Sequence, residues 1–397
     1  MVITLKTLEL AKQIIRTLKA HGFEAYFVGG MVRDQVLGLT SEDIDLTTSA
    51  LPEDVMKIFK RVKETGKKYG SVTVLMENKA FEVTTFRTEG RYTNNRHPEE
   101  ISFGTSLEED LKRRDFTMNQ LVMTEEEEIM DHHGGLEDIE KRLIRTIGEP
   151  SKRFEEDALR ILRALRFVGK LGFSIEERTA QAMRKHRYLL KELAIERVMQ
   201  ELSKIVKSDY RTKAFMYMLE LDIASVLYGL EEGIKKVVHL EEDLYPIEFF
   251  ILAHILGDVE DVFRFSNKER AIIERVIELH EVTKEDDFNR FIVYVNKLDM
   301  CLLVNKINRI LGYKDQEQSI RDMHERLPIH DVCDLAFKGQ DILWKTNLKK
   351  HSLIGVIIDE LKYKVIMEEL PNEYKALEEY ALQRVEETLE EMDDKNE

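Results

Sequence analysis

A switch in apolar period near residue 140 sets the strongest limit on what this chain can fold into. Before it, runs rich in Val, Thr, Phe and Tyr alternate with helix-period stretches; after about residue 150, apolar residues recur almost only at three and four spacings. Glu24 to Val28, Asp43 to Thr47, Ser71 to Met76 and Ala80 to Arg87 are predicted strands, the last two forming a hairpin across Glu77-Asn78-Lys79. One helix is predicted to open after Gly30, and another at Ser106, where Ser106 and Glu109 have capping-box spacing. The first twenty residues predict an amphipathic helix, and Ala158 to Leu171, Ile195 to Val206, Ala271 to Val282 and Ile354 to Met367 predict further helices. No internal repeat is visible, and the breaks near Gly229, Gly257 and Gly339 are short. The expected fold class is α+β: an α/β head followed by an elongated all-α remainder.

At 397 residues the chain predicts about two to three domains. No apolar run approaches the roughly 18 residues that would span a bilayer, and the N-terminus lacks a signal-peptide pattern. Cys301 and Cys333 are too few for a disulfide framework, so a cytoplasmic setting without a membrane partner is expected. The net charge of −16 disfavours a nucleic-acid partner taken alone. It is an average, however. The tail Glu386 to Glu397 and the run Glu125 to Glu128 are acidic, whereas between Arg184 and Lys213 nine Lys and Arg face four Asp and Glu. Charge alone leaves a basic binding surface and a solvated helix face equally open. Nothing in the sequence sets the oligomeric state.

Four stretches carry chemistry. In Val28-Gly29-Gly30-Met31-Val32-Arg33-Asp34 a strand ends in two glycines and a helix opens, so that backbone N–H groups and Arg33 could meet a phosphate. Such turns are, by themselves, more often structural. In Glu42-Asp43-Ile44-Asp45-Leu46 strand alternation would put Asp43 and Asp45 on one face, where like charges repel unless a cation lies between them. Hard oxygen donors suit Mg²⁺, which binds one or two carboxylates together with water and substrate phosphates. A D-x-D about a dozen residues after the glycine turn points to phosphoryl chemistry. Glu82, on Phe81-Glu82-Val83-Thr84, is placed either as a third carboxylate or as an ordinary solvent-facing strand residue. Leu111 to Asn119 carries Lys112, Arg113, Arg114 and Asp115, which could hold a triphosphate or form an internal ion pair at a helix end.

The fourth stretch, Arg153 to Phe167, is the most informative. Asp157, Arg160, Arg163 and Arg166 step by three and would descend one helix as a slanting row, with Ala158, Ile161, Leu162, Leu165 and Val168 packing the opposite face. Leu159 and Phe167 beside the row suit a cleft better than open solvent. Cytosine and adenine both show an exocyclic amine next to a ring-nitrogen acceptor. Asp157 can accept from the amine while Arg160 donates to the ring nitrogen. Uracil and guanine reverse that pattern, and a buried mismatch costs about 1–3 kcal/mol per unpaired group. The plainer alternative is an i,i+3 ion pair.

The set GGMVRD, EDIDL, EVTTFRTEGRY, LKRRDFTMN, RFEEDALRILRALRFVGKLGF and IERVMQEL, in this order and spacing, resembles the class II tRNA nucleotidyltransferases, the bacterial CCA-adding enzymes of the polymerase β superfamily. The similarity is dense from about 20 to 210 and thin beyond, as at Leu327-Pro328-Ile329 and Gly339-Gln340-Asp341-Ile342. The resemblance implies a nucleotidyltransferase head at 1–140, a nucleotide-recognising neck at 141–210, and a body and a tail at 211–310 and 311–397. The last two would hold the tRNA acceptor stem and T arm. It implies template-independent addition of C, C and A from CTP and ATP by two-metal nucleotidyl transfer. Asp43 and Asp45 would hold Mg²⁺, and Glu82 would help activate the RNA 3′-hydroxyl. Gly30, Arg33 and Arg114 would cradle the triphosphate. Asp157 and Arg160 would read the base, supported by Arg163 and Arg166.

Arg87 to Arg114 keeps the full-length loop that complete CCA-adding enzymes use to switch from C to A, which favours the whole reaction. No His/His-Asp/Asp set for a phosphohydrolase is evident, and Asp131-His132-His133-Gly134-Gly135 reads as a structural turn. The alternatives are an A-adding enzyme or poly(A) polymerase on the same scaffold, and a catalytically inactive tRNA-binding protein. Intact Asp43, Asp45, Arg114, Asp157 and Arg160 argue against the last.

Overall fold

The computed structural model describes residues 5–41, 43–89, 92–93, 97–98, 101–346 and 351–394. Glu42 of the acidic motif, residues 90–91, 94–96 and 99–100 of the loop read as the C-to-A switch, and 395–397 of the acidic tail lie outside them. The Leu5–Ala20 helix buries Ala11, Ile14, Ile15 and Leu18, the stripe its amphipathic period predicts, against the first strands of a mixed sheet.

The strands of that sheet are β1 (Ala25–Val28), β2 (Asp45–Thr48), β3 (Val62–Gly66), β4 (Ser71–Met76), β5 (Lys79–Thr85), β6 (Val122–Met123) and β7 (Ile129–Met130). Their order is β7-β6-β1-β2-β5-β4-β3, and only β2 and β5 run parallel. The predicted hairpin forms, but Met76 pairs with Lys79, so its turn is the two residues Glu77-Asn78, with Glu77 at φ 51°. Burial alternates along β5: Phe81, Val83 and Thr85 are buried and Glu82 is exposed, as a half-buried strand requires. The Ser106 hydroxyl caps the Leu107–Lys112 helix by accepting the Glu109 N–H at 3.4 Å, while the Glu109 carboxylate pairs with Lys112.

Beyond residue 150 helices take over. Pro150–Glu156 and Leu159–Leu171 lie between two short strands, Leu143–Ile144 and Ser174–Ile175, that pair in parallel. Ala158, Ile161, Leu162, Leu165 and Val168 are fully buried, as the period predicts, where Leu159–Leu171 packs on Ile195–Val206 and Arg211–Glu220. Gly169 permits that approach: a Cβ there would lie 2.2 Å from the Ser208 hydroxyl oxygen.

The chain separates into two compact units, 1–264 and 265–397. The boundary falls inside the stretch read as the body, 211–310. Its early helices pack within the first unit, Pro246–Leu256 on Glu231–Val237 and on Ile195–Val206, whereas Asn267–Thr283 packs on Arg290–Leu311. The second unit, among its described residues, is helical. A buried polar cluster ties its first two helices, where the His280 ring nitrogen Nδ1 lies 2.7 Å from Asn308 Oδ1 and Asn308 Nδ2 donates to the Thr283 hydroxyl at 3.0 Å. The fold class is thus α+β, with the sheet confined to the N-terminal part. No described helix is long and apolar enough to cross a membrane.

Candidate active site

Gly29 ends β1 at φ 77° and ψ −139°, backbone that only glycine adopts without strain. A Cβ built there would lie 3.7 Å from both Asp45 Oδ2 and Arg114 Nη1, so a carboxylate and a guanidinium converge on the turn. The turn forms one wall of a cleft of about 900 Å³ in the first unit. Among the described residues nine Arg and Lys but only five Asp line it, an excess of positive charge on a chain of net charge −16. Such a cleft attracts a polyanion.

The acidic wall differs from the strand-alternation expectation. Asp43 precedes β2, which begins at Asp45, so the two are not alternate strand residues, although both line the cleft. The residue that strand geometry sets beside Asp45 is Glu82, its partner in the parallel β2–β5 register. The Asp45 side chain opens to the cleft, yet its carboxyl is pushed up to about 6. Desolvation is the main cause, followed by Glu82 and Asp43, with Arg114 opposing. A carboxyl whose proton affinity is raised by neighbouring carboxylates gains from a nearby cation. Among the described residues no three His, Cys, Asp or Glu side chains form a ready metal shell. Two carboxylates completed by water and phosphate oxygens suit a hard divalent ion.

The opposite wall carries the arginines. Asp157 is not on the same helix as the rest of the row. It is the extended residue that ends Pro150–Glu156, at φ −146° and ψ 99°, and its Oδ1 accepts the Leu159 N–H at 3.1 Å. Arg160, Arg163 and Arg166 do descend Leu159–Leu171, and all four residues line the cleft. Arg160 Nη1 donates to the Arg153 carbonyl at 2.8 Å and to Glu156 Oε2 at 3.0 Å, and Nη2 donates to the Arg113 carbonyl at 3.0 Å. Of its five N–H donors, Nε–H and one on Nη2 remain unspent. Arg166 pairs with Glu201 at 2.8 Å, and desolvation lowers its pKa.

Arg33 differs from the free phosphate-pairing group expected. It is 2% exposed, and it donates to Asp34 Oδ1 (2.8 and 2.5 Å) and Asn119 Oδ1 (2.7 Å). Leu159–Leu171 packs over it through Phe167, whose ring centroid lies 5.1 Å from the guanidinium, so Arg33 meets the cleft only at its buried edge. Arg163 and Arg166 also flank that ring, at 5.9 and 4.4 Å. Desolvation lowers the pKa of Arg114 against the opposing pull of Asp110, and the side chain faces the cleft near Gly29. The ion-pair reading of the 111–119 stretch holds, with Asp110 just ahead of it as the partner of Arg113 and Arg114, and both arginines also line the cleft.

Several residues were not singled out from sequence. Asp115 accepts from Arg163 Nε (2.8 Å), Asn119 Nδ2 (2.9 Å) and the Phe116 N–H (2.8 Å), and with Asn119 it links Arg33 to the arginine row. Desolvation alone would raise its pKa, but Arg163, Asn119 and Phe116 hold it at about 2. Both residues lay within LKRRDFTMN, whose sequence gave no hint which charges turn inward. Arg197 and Glu201 sit in IERVMQEL on Ile195–Val206. Near His132 and His133, Asp131 organises the turn by accepting the His133, Gly135 and Leu136 N–H groups.

This geometry agrees with the comparisons. Family profiles match at residues 25–145 (Poly A polymerase head domain), 172–231 (probable RNA and SrmB-binding site of polymerase A) and 259–381 (tRNA nucleotidyltransferase domain 2, putative). The CCA-adding enzyme of Streptococcus mutans is 34% identical over 92% of this chain and 95% of its own length. A crystal structure of the Bacillus stearothermophilus CCA-adding enzyme in complex with CTP superposes with a TM-score of 0.82 at 32% identity, covering 97% of this chain and 99% of that one. The Thermotoga maritima CCA-adding enzyme complexed with tRNA shares the fold, with a TM-score of 0.69 at 18% identity, covering 96% of each chain. With 36% identity to the Bacillus cytotoxicus CCA-adding enzyme over 94% of its own length and 98% of the relative's, the chain belongs to the family of CCA-adding enzymes.

Proposed function

We propose that this protein adds C, C and A to the 3′ end of tRNA without a template, taking CTP and ATP as substrates and releasing pyrophosphate. The observation that carries the reading is one cleft with two chemically distinct walls: Asp43, Asp45 and Arg114 on one, Asp157 and Arg160 on the other. In this reading Arg114 and the backbone at Gly30 hold the triphosphate, while Arg33 fixes the glycine turn from behind through Asp34 and Asn119. Asp157, with Oδ1 held by Leu159, offers Oδ2 to the exocyclic amine of the base, and an unspent N–H of Arg160 donates to the ring nitrogen. Arg163 and Arg166 stiffen that wall through Asp115 and Glu201.

The 3′-hydroxyl oxygen then forms a bond to the α-phosphorus, and the α–β bridging bond breaks to give pyrophosphate. Glu82, exposed beside Asp45, is the carboxylate we assign to the hydroxyl proton. The family works with a divalent ion. We propose Mg²⁺, held by Asp43 and Asp45, which would supply charge for the ionising hydroxyl and the departing phosphates. The proposed division is head 1–140, neck 141–210, body 211–310 and tail 311–397, the last two holding the acceptor stem and T arm, and the proposed setting is the cytoplasm. The test is incubation with a tRNA that ends at its discriminator base. CTP alone should add two residues, and CTP with ATP should add three. Addition of A but never C would refute the reading.

A further inference from the structure

Asp157 can select a base only while its carboxylate is ionised and held in one orientation. Oδ1 is held by the backbone, through the Leu159 N–H at 3.1 Å. Oδ2 is the oxygen left for a ligand, and Nη2 of Arg197 lies 3.6 Å from it. That distance exceeds a hydrogen bond, so the contact supplies charge without spending the Oδ2 lone pair that a nucleobase amine needs. The pair is sheltered, with side chains 18% and 29% exposed, where screening by water is weakened. Arg197 lines the same cleft, and its Nη1 is buried without a hydrogen-bond partner.

The backbone that carries Arg197 is anchored. The residue stands in the first turn of Ile195–Val206, a helix anchored by the fully buried Val198, Leu202 and Ile205. One turn on, Glu201 pairs with Arg166, so this helix meets the base-reading wall through charged contacts at two successive turns.

We propose that Arg197 is a positioning residue for base choice, whose guanidinium keeps Oδ2 of Asp157 turned toward nucleobases that present an exocyclic amine. The inference rests on the reading of Asp157 as the group that meets the base. With Arg197 removed, the carboxylate keeps its bond to Leu159 but loses the charge that fixes Oδ2. Cytosine and adenine then bind less well, and uracil, whose carbonyl is repelled by a fixed Oδ2, is rejected less.

The experiment measures single-nucleotide addition to tRNA ending at its discriminator base, comparing kcat/KM for CTP and UTP in the wild type, Arg197→Gln, Arg197→Lys, Asp157→Asn and the double variant Asp157→Asn/Arg197→Gln. Arg197→Gln should lower the CTP/UTP ratio about tenfold, the scale of one charge-assisted contact, and chiefly through KM. Arg197→Lys should recover most of the ratio. In the Asp157→Asn background, Arg197→Gln should change the ratio less than twofold, because the two act as a unit. Should circular dichroism show Arg197→Gln unfolded, Arg197→Met keeps the packing of the stem and takes its place with the same expected loss. An unchanged ratio in Arg197→Gln, or additive effects in the double variant, overturns the positioning role while leaving base reading by Asp157 intact. An unchanged ratio in Asp157→Asn overturns the base reading itself.

Discussion

Replacing Asp115 with Asn removes the carboxylate on which Arg163, Asn119 and the Phe116 N–H converge. The Asp115 side chain is 9% exposed, and its pKa falls from an ordinary 3.8 to about 2 in the folded protein. Each pKa unit corresponds to about 1.4 kcal/mol, so the network contributes about 2 kcal/mol at neutral pH. The folded pKa is the depressed one. The contribution is therefore complete above pH 3.8 and is lost as the pH falls through 2. Arg163, left without its partner, is 35% exposed, and water limits the extra cost of orphaning it. The single tryptophan, Trp344, lies in the second unit, so its fluorescence does not report on this site. Amide hydrogen exchange along Leu159–Leu171 does. In Asp115→Asn those amides should exchange about 30-fold faster at pH 7, the equivalent of 2 kcal/mol. The same comparison made by urea unfolding at pH 2.5 should show a gap of less than half that energy. Equal exchange rates at pH 7, or a gap that does not shrink in acid, would refute the reasoning.

Three other outcomes are expected. Asp45→Ala should abolish nucleotide addition and leave tRNA affinity in filter binding within about twofold, because the carboxylate serves chemistry while the RNA rests on other surfaces; measurable turnover would remove Asp45 from the reaction. Gly29→Ala has room for its methyl group, so its cost is backbone strain of about 1–3 kcal/mol, visible as a lower melting temperature of the first unit and a higher KM for nucleotides. Arg114→Ala should raise KM for CTP and ATP by similar factors and leave the C/U preference unchanged, because a triphosphate is common to every substrate; a selective effect on one base would contradict its assignment.

Much of the fold was legible because its signals are local. The apolar period located Leu159–Leu171 and Ile195–Val206 closely, and β-rich runs bounded by Gly and Asn located β4 and β5. The site was legible as a set of residues but less so as geometry. Asp43 and Asp45 do line one cleft, but β2 starts at Asp45, and sequence could not show that Glu82, from a strand almost forty residues away, lies beside Asp45 in the sheet register. Asp157 was read onto a helix that begins after it, because an i,i+3 spacing does not reveal that Pro150–Glu156 ends there. Arg33 looked free because sequence cannot show that Asp34, Asn119 and Phe167 enclose it. The partners of Arg197 and Asp115 were hidden for the same reason: they are 40 and 48 positions away.

The most direct test of the central claim is a crystal structure of this protein with bound CTP. The account predicts that the cytosine amine lies within about 3.2 Å of Asp157 Oδ2 and that the Nε edge of Arg160 meets the ring nitrogen at a similar distance. Cytosine held elsewhere in the cleft, with Asp157 and Arg160 still bonded only to protein, would contradict it.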